Sequence, residues 1–504
     1  YLHLPEDTRA DEVSLKVLEW MPLPLPFVAQ SGMDLKSGDV ESALAYHYWS
    51  VRGRVRGFLT GPAVRQKDNE WQIPKRVALS YSLKPVLIAA KSTDKTLASS
   101  SVLASGDWLK VGVFQDGMYR LSYEFLQTHG LISGPVPSAE IRLYGNGGAR
   151  LPEEIQESRP DDLLENAVQM NDGGDGSFGP GDFFMFYGQG TMRWEKEGQT
   201  YLHNRNVYTD TAYYFVTRRP GNGLRVSTGA SKEGTPDYIS SSSDAFALVE
   251  EETRNLIRSG RKWMGESFNF TNSYSYNMQL KQPVVGSEAT VRFAAAARCV
   301  GCNTVMRYLA NGEELGTVNI GQVSSNYAGN YTAESSAGYA YVLASGNLTV
   351  QVERLSPLSG SEDQRAWLDF ISVHYRRQLN LGDLPYQIRD AQASGLAEFR
   401  IAGGSSSTQV WDITDRSAIT RIPLASGSGY GFFRVEDAEA KRFVVFQNTS
   451  FPEPVPFGKV QNQDLHGLIH NQPAPDMLVV AHPSLKTQAE ALADLHRLED
   501  GMLV

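Results

Sequence analysis

The sequence predicts a mainly β protein: several antiparallel, sandwich-like modules followed by the truncated start of an α/β domain. Three observations lead there. The 46 glycines, 21 phenylalanines and 23 tyrosines favour strands and turns over helices. Short alternating apolar runs recur along the chain with Gly, Asn and Ser between them. The final stretch breaks that pattern. Residues 476–481 (DMLVVA) read as a buried strand and 485–498 as a helix with Leu485, Ala489, Leu492 and Leu495 on one face. Gly501 is placed to cap that helix, and residues 502–504 look like the opening of a second strand. Strand, helix, strand begins a parallel layer, and parallel sheets need both faces covered. Two strands and one helix do not supply that cover, so the chain is expected to be a fragment or to lack a partner piece.

At 504 residues the chain has room for roughly three to five domains. Residues 1–100 form an N-terminal β-rich region with strand-like runs at 43–51, 54–59 and 76–83. The last run alternates Val77, Leu79, Tyr81 and Leu83 on one face. The small, polar stretch 94–105 is a linker candidate. Residues 101–225 form a mixed β-rich module, with strands expected at 108–114, 118–121, 139–144, 183–187 and 211–217 and a short helix at 122–129. Its 145–148 segment, Gly-Asn-Gly-Gly, reaches positive φ easily. Residues 226–376 predict an antiparallel β-sandwich, with strands at 278–280, 289–297, 305–309, 338–343, 348–352 and 368–375 and one helical interruption at 247–258. Residues 377–470 form a further β-rich module and linker. Its strands are expected at 410–413, 419–422, 431–435 and 443–446, and Pro452, Pro454 and Pro456 stiffen the connection. Residues 471–504 begin the truncated α/β domain.

Composition narrows the function. Hydrophobic content of 41% and charge of 21% are those of ordinary folded protein. A net charge of −10 without a basic run argues against nucleic acid as the main partner. Arg258, Arg261 and Lys262 lie close together, and a solvated loop accounts for them. No run of about 18 apolar residues is present to span a bilayer as a helix. No signal peptide is visible, and Tyr1 without a preceding Met suggests a processed or trimmed start.

The candidate motifs are weak. Cys299 and Cys302 are the two cysteines. A lone CxxC supplies half of a tetrahedral zinc site, with no histidine near in sequence. A redox motif needs a helix N-terminus after a strand, whereas 291–298 leads into a turn. A small disulfide, or two idle thiols, in a surface hairpin is the favoured reading. The loop from Asn171 to Asp182 carries Asp172, Asp175 and five glycines and has the flavour of a calcium loop. Gly173 stands where an EF-hand would place a ligand, so a plain turn with solvated aspartates is preferred. Asn269, Asn330, Asn347 and Asn448 begin Asn-x-Ser/Thr matches of the kind chance produces. His482 ends the expected parallel strand, the edge at which open α/β sheets bind ligands. Yet no cysteine follows it, and Ser484 lacks a G-x-S-x-G elbow. His482 therefore reads as a strand-end residue before a proline, and His496 as a surface or boundary side chain of the last helix. Spacing alone assembles no active site, metal site or cofactor site.

Several segments taken together do form a pattern. They are 106–111 (GDWLKV) with 117–121 (GMYRL), 141–148 (IRLYGNGG), 151–153 (LPE), 162–167 (DLLENA) and 181–190 (GDFFMFYGQG). Further on come 368–371 (LDFI), 410–415 (VWDITD) and 462–467 (NQDLHG). In this order the chain from 106 to 504 resembles the N-terminal half of the surface sortases of the bacterial type IX secretion system, members of the gingipain-type cysteine peptidase family. Residues 1–100 share nothing with that pattern. The resemblance implies a caspase-like α/β peptidase domain beginning near Asp476. It also implies a His base and a Cys nucleophile beyond Val504, so that no catalytic residue lies in this chain. It places Cys299 and Cys302 outside the active site. It further implies that the full-length protein is a cell-surface, outer-membrane-associated enzyme that reaches its location through the periplasm. That enzyme cuts the C-terminal signal domain from secreted cargo and attaches the cargo to lipopolysaccharide, held by an outer-membrane β-barrel partner of the PorV type. No cofactor is implied. The β-rich modules would then dock cargo and partner, with sheet edges available for strand addition. Two other readings remain open from the residues alone: a non-enzymatic surface adhesin or glycan-binding β-sandwich protein, and an inhibitory pro-region removed on activation.

Overall fold

The computed structural model describes residues 98–504 except 155, 198–199, 259–260, 327, 357–363, 448–449 and 471–474. Within residues 1–97 it describes the strands named next. The chain divides into two compact units, residues 1–96 and 97–504. In the first unit, Arg54–Thr60 pairs on one side with Ala45–Val51 and on the other with Leu2–His3. Thr8–Pro22 and Glu70–Pro85 form a long antiparallel ladder with Leu15 opposite Leu79 and Val17 opposite Val77, and Arg65–Lys67 extends it.

The second unit contains three β modules. The first is built on a five-stranded antiparallel sheet in the order Glu165–Asn166, Ile141–Tyr144, Ala212–Arg218, Trp108–Val113, Val455–Lys459. A three-stranded sheet, Gln169–Asn171, Phe183–Gly188 and Gly117–Ser122, packs across it. Leu109, Val111 and Val216 from one sheet and Leu121, Phe184 and Phe186 from the other fill the core between them. Helix Tyr123–Thr128 falls where the sequence places a helix. The Ser122 hydroxyl accepts the Phe125 N–H at its start, and Tyr123, Phe125 and Leu126 turn inward.

The edge strand Val455–Lys459 is a departure from the sequence reading, which makes the proline stretch a bare connection. Pro456 has no N–H to give, and the ladder slips one residue between Pro456 and Gly458, as edge strands allow. The Phe457 ring settles on Gly112. A Cβ there would stand 2.5 Å from the ring, so only glycine leaves room for the strand to dock.

The second module is the expected antiparallel sandwich. Its front sheet runs Ser242–Val249, Gln364–Gln378, Glu288–Cys299, Ala333–Val342, and its back sheet runs Ser273–Gln279, Asn347–Ser356, Thr304–Ala310, Glu313–Ile320. Alternation decides which side chains face inward: Leu348, Val350 and Val352 of one strand meet Val291, Phe293 and Ala295 of the opposite sheet. Phe293 stacks on Tyr308 at 4.1 Å. The helix expected at 247–258 does not form. Ser242–Val249 is a strand instead, because Ala245, Ala247 and Val249 pack against the core while their backbones pair with 371–375.

The third module encloses the sandwich in sequence. Two short strands before the sandwich, Ser227–Thr228 and Tyr238–Ser240, pair in parallel with Thr420–Ile422 and Leu396–Ala402, which follow it. Leu379 N–H donates to Ser241 O at 2.8 Å, so the two ends of the sandwich meet. Phe399, Phe433 and Phe443 form the aromatic centre of this module. Met118, Met185 and Tyr187 join it to the first module through Trp411, Ile413 and Phe446.

After helix Leu465–His470, the end of the described chain holds helix Lys486–Glu499, with Gly501 at φ +63° beyond its last turn as expected. The expected strands at 476–481 and 502–504 do not form a ladder. Asp476 and Met477 N–H groups reach Leu503 O, but 477–481 joins no ladder among the described residues and Val480 is fully exposed. An isolated parallel pair lacks the flanking strands that would hold it. Leu492, Leu495 and Leu498 of the helix are exposed as well.

Candidate functional site

The segment that positions the most distinctive surface of this chain is a hairpin, Met192–Glu197 with Thr200–Arg205, which reaches from the first module onto the outer face of the sandwich's front sheet. Its inward residues are aromatic. Trp194 stacks on Phe246 with centroids 4.4 Å apart, Tyr201 packs edge-on against Phe246 and His374, and His203 stands edge-on to Phe370 at 4.3 Å. Polar contacts fix the hairpin's position: Arg389 Nη1 donates to Trp194 O, Lys196 Nζ to Ala391 O and Arg205 Nη1 to Glu250 O. The sequence signal for this element is the Gly198–Gln199 pair between two runs bearing Trp194 and Tyr201. The charges at Arg193, Glu195, Lys196 and Glu197 mask the strand alternation there.

Beneath the hairpin lies a buried ion network. Asp244 accepts the Ala391 N–H at 2.7 Å and hydrogen bonds from His374 Nε2 and Arg376 Nη1 at 2.9 Å. Arg376 forks onto Asp390 through Nη1 and Nη2, and the Tyr238 hydroxyl also donates to Asp390. Burial opposes ionisation of Asp244, but the His374 and Ala391 hydrogen bonds and the Arg376 charge outweigh it and hold the carboxyl below its ordinary range. Both carboxylates are almost wholly buried, so the network locks the sandwich, through 374–376, to the third module, through 390–391.

Beside the hairpin an open cleft of about 770 Å³ remains on the front sheet. Glu250, Glu252 and Asp369 line it together with His203, Arg205 and Arg292. Glu250 faces His203 Nε2 at 3.3 Å and Arg205 Nη1 at 3.4 Å. Burial, with the Glu250 charge second, pushes Glu252 up to about 7 and Asp369 up to about 6. Both exchange protons near neutrality, so they can donate as well as accept hydrogen bonds. The cleft's far wall is the edge strand Ala333–Val342, ten residues without Pro or Lys that pair only with Glu288–Cys299. The Tyr339 hydroxyl of this strand donates to Thr317 O, which brings Glu313–Ile320 of the back sheet against the same edge. The cleft is open to solvent and lined by charges of both signs.

The residues singled out by sequence lie elsewhere. Cys299 and Cys302 form a disulfide across a tight turn, with Cα atoms 5.2 Å apart and Gly301 at φ +72°. Asp172, Asp175 and Asp182 each accept a backbone N–H within their own loop, from Gly174, Ser177 and Gly179. Among the described residues no group of three or more His, Cys, Asp or Glu side chains is arranged to hold a metal ion. His482 Nδ1 accepts the Ser484 N–H at the start of a short turn, and His496 pairs with Asp500 one helical turn on. Arg261 and Lys262 are exposed and paired with Glu153 and Glu334. Asn448 lies outside the described residues. No helix among the described residues is long and apolar enough to cross a membrane.

The class these features define is a multi-module antiparallel β protein in which a sandwich is inserted into a second β module and clasped by a hairpin from a third. That arrangement is similar to the crystal structure of dimeric latent PorU from Porphyromonas gingivalis, with a TM-score of 0.67 and 24% sequence identity over 81% of this chain. The chain spans 37% of the length of that protein. The fold of this chain is thus PorU-like. No protein-family model matches the sequence, and no curated protein matches it. Two carbohydrate-binding modules, one of family 35 from Clostridium thermocellum and one from the Abf62 protein of Cellvibrio japonicus, cover 26% and 27% of this chain and 90% and 97% of their own. Their identities of 18% and 16% come with TM-scores of 0.17, too slight a likeness to indicate anything about this chain.

Proposed function

We propose that this chain is the N-terminal part of a cell-surface sortase of the type IX secretion system. The observation that carries the proposal is the PorU-like fold over four-fifths of the chain. In this reading the full-length protein is a cysteine endopeptidase and transpeptidase. It removes the C-terminal signal domain of secreted cargo and joins the cargo to lipopolysaccharide, with its His and Cys beyond Val504. Residues 106–470 act as the scaffold: they hold cargo and an outer-membrane β-barrel partner of the PorV type while the chemistry proceeds downstream. In this reading an extended segment of the cargo's β-domain docks on the modules by strand addition, and the cleft on the front sheet selects its side chains. The uncovered Leu492, Leu495 and Leu498 favour an α/β layer that continues past this helix.

The test uses the full-length gene product. Residues 242–378 are replaced by a short glycine linker, and release of the cargo signal domain is followed by intact mass. Loss of processing with a still-alkylatable active-site Cys supports the scaffold role. Unchanged processing refutes that role, and a gene product without a downstream His and Cys refutes the sortase assignment in favour of a non-enzymatic surface binding protein.

A further inference from the structure

A second cavity, of about 390 Å³, lies where the three modules meet, and one of its walls is an arginine with no anion to pair with. Arg377, the penultimate residue of Gln364–Gln378, is 7% exposed. Its Nε and Nη2 are buried and have no hydrogen-bond partner in the protein. Its guanidinium lies 3.9 Å above the Tyr386 ring, whose hydroxyl is also buried and unpartnered. The other charges near the cavity are committed. Arg389 donates to Gln387 Oε1 and Trp194 O, and Asp116 accepts from Gly190 N, Tyr187 OH and Gln387 Nε2. Asp244 is saturated by Arg376, His374 and Ala391, and Asp383 is shared between Lys281 and Gln282.

A buried guanidinium with no anion bonded to it is unfavourable, and neither a stacked ring nor the more distant Asp383 charge replaces a bonded partner. A water molecule would satisfy its donors without offsetting its charge. An oxyanion does both, and a planar carboxylate or a phosphate matches the guanidinium fork. The rest of the lining mixes polar and apolar residues, and its aromatic part is Trp194, Phe246, Tyr187, Tyr375 and the exposed rim residue Phe114. We propose that this cavity binds a small ligand in which a carboxylate or phosphate group, set on an apolar body, pairs with Arg377 and takes a hydrogen bond from the Tyr386 hydroxyl. This inference stands apart from the sortase reading, since it concerns only residues of this chain.

The test is calorimetric titration of the whole chain with phenylphosphate, phenylacetate and inorganic phosphate at fixed ionic strength. Saturable one-site binding of at least one phenyl compound is expected, tighter than inorganic phosphate because the aromatic walls contribute. Arg377→Met should weaken it tenfold or more while the unliganded protein remains as stable as the parent. Tyr386→Phe should weaken it a few-fold. Phenylphosphate alone binding assigns a phosphate ligand, and phenylacetate alone a carboxylate. No saturable binding in the millimolar range, or equal affinity in Arg377→Met and the parent, overturns the proposal. Should Arg377→Met not fold, Arg377→Lys replaces it: weaker binding than the parent supports the fork, and equal binding overturns it.

Discussion

Single residues at the junction between the sandwich and the third module bear directly on stability. Asp244 is held ionised by three groups from two segments, His374 and Arg376 of one strand and the Ala391 N–H of the third module. Removing one member of a buried charge network leaves the others uncompensated, so Asp244→Ala should destabilise the chain by about 3–5 kcal/mol in urea unfolding. Because its folded pKa is depressed, its contribution is present above the unfolded value and is lost as pH falls through the folded one. Glu252 and Asp369 have the opposite sign. Their folded pKa values, about 7 and about 6, are raised, so the folded state takes up protons that the unfolded chain would release. The stability they confer is present below the unfolded carboxylate range and fades as pH rises through 6 to 7. Glu252→Gln with Asp369→Asn should flatten the loss of thermal stability between pH 5 and 8. After solvent screening the difference is on the order of 1 kcal/mol. A wild-type slope retained in the double variant would contradict the burial argument.

At the scale of elements, the hairpin Met192–Glu197 with Thr200–Arg205 works as a clasp whose grip is aromatic. Two strands alone are marginal in water, so the hairpin's order depends on Trp194 and Tyr201 reaching the sandwich. Trp194→Ala should lower stability by about 2 kcal/mol and speed amide exchange in 200–205 without affecting the back sheet of the sandwich. Uniform exchange across both regions would show instead that the hairpin belongs to the global core. The same scale explains the misread stretch at 247–258. Its run of Ala, Leu, Val and three glutamates has helical composition, yet inward packing of Ala245, Ala247 and Val249 beside a paired strand outweighs a helix preference of tenths of a kcal/mol per residue. The edge strand Val455–Lys459 was hidden for a related reason. Prolines forbid a central strand, but at a sheet edge one face of the backbone needs no partner.

At the scale of the whole molecule, the sandwich is an insertion. Its ends meet through the Leu379–Ser241 hydrogen bond, and the strands flanking it belong to one module. Excising 242–378 with a short glycine bridge, together with Asp390→Asn to remove the carboxylate that Arg376 compensates, should leave the first and third modules folded with one cooperative thermal transition. Collapse of that transition would mean that the sandwich is required for its neighbours to fold. The shared cluster of Met118, Met185, Trp411 and Phe446 is the reason to expect survival, since it involves no sandwich residue.

The sequence by itself determined the modular β character, most strand positions in 108–446, the short helix after Ser122, the turn at the two cysteines and the capped helix near the end. All of these are written in local periodicity and in turn chemistry, which a single strand or helix must satisfy whatever it later touches. Only the tertiary structure decided that 455–459 joins the first module, that 227–240 pairs across the sandwich with 396–422, and that Asp244, Arg376 and Asp390 share one network. It alone brought Arg377, Tyr386 and Trp194 to one cavity. Those residues lie up to nearly two hundred positions apart. What joins them is the burial of faces and the pairing of charges between elements, and a chain read in order carries no record of which faces will meet.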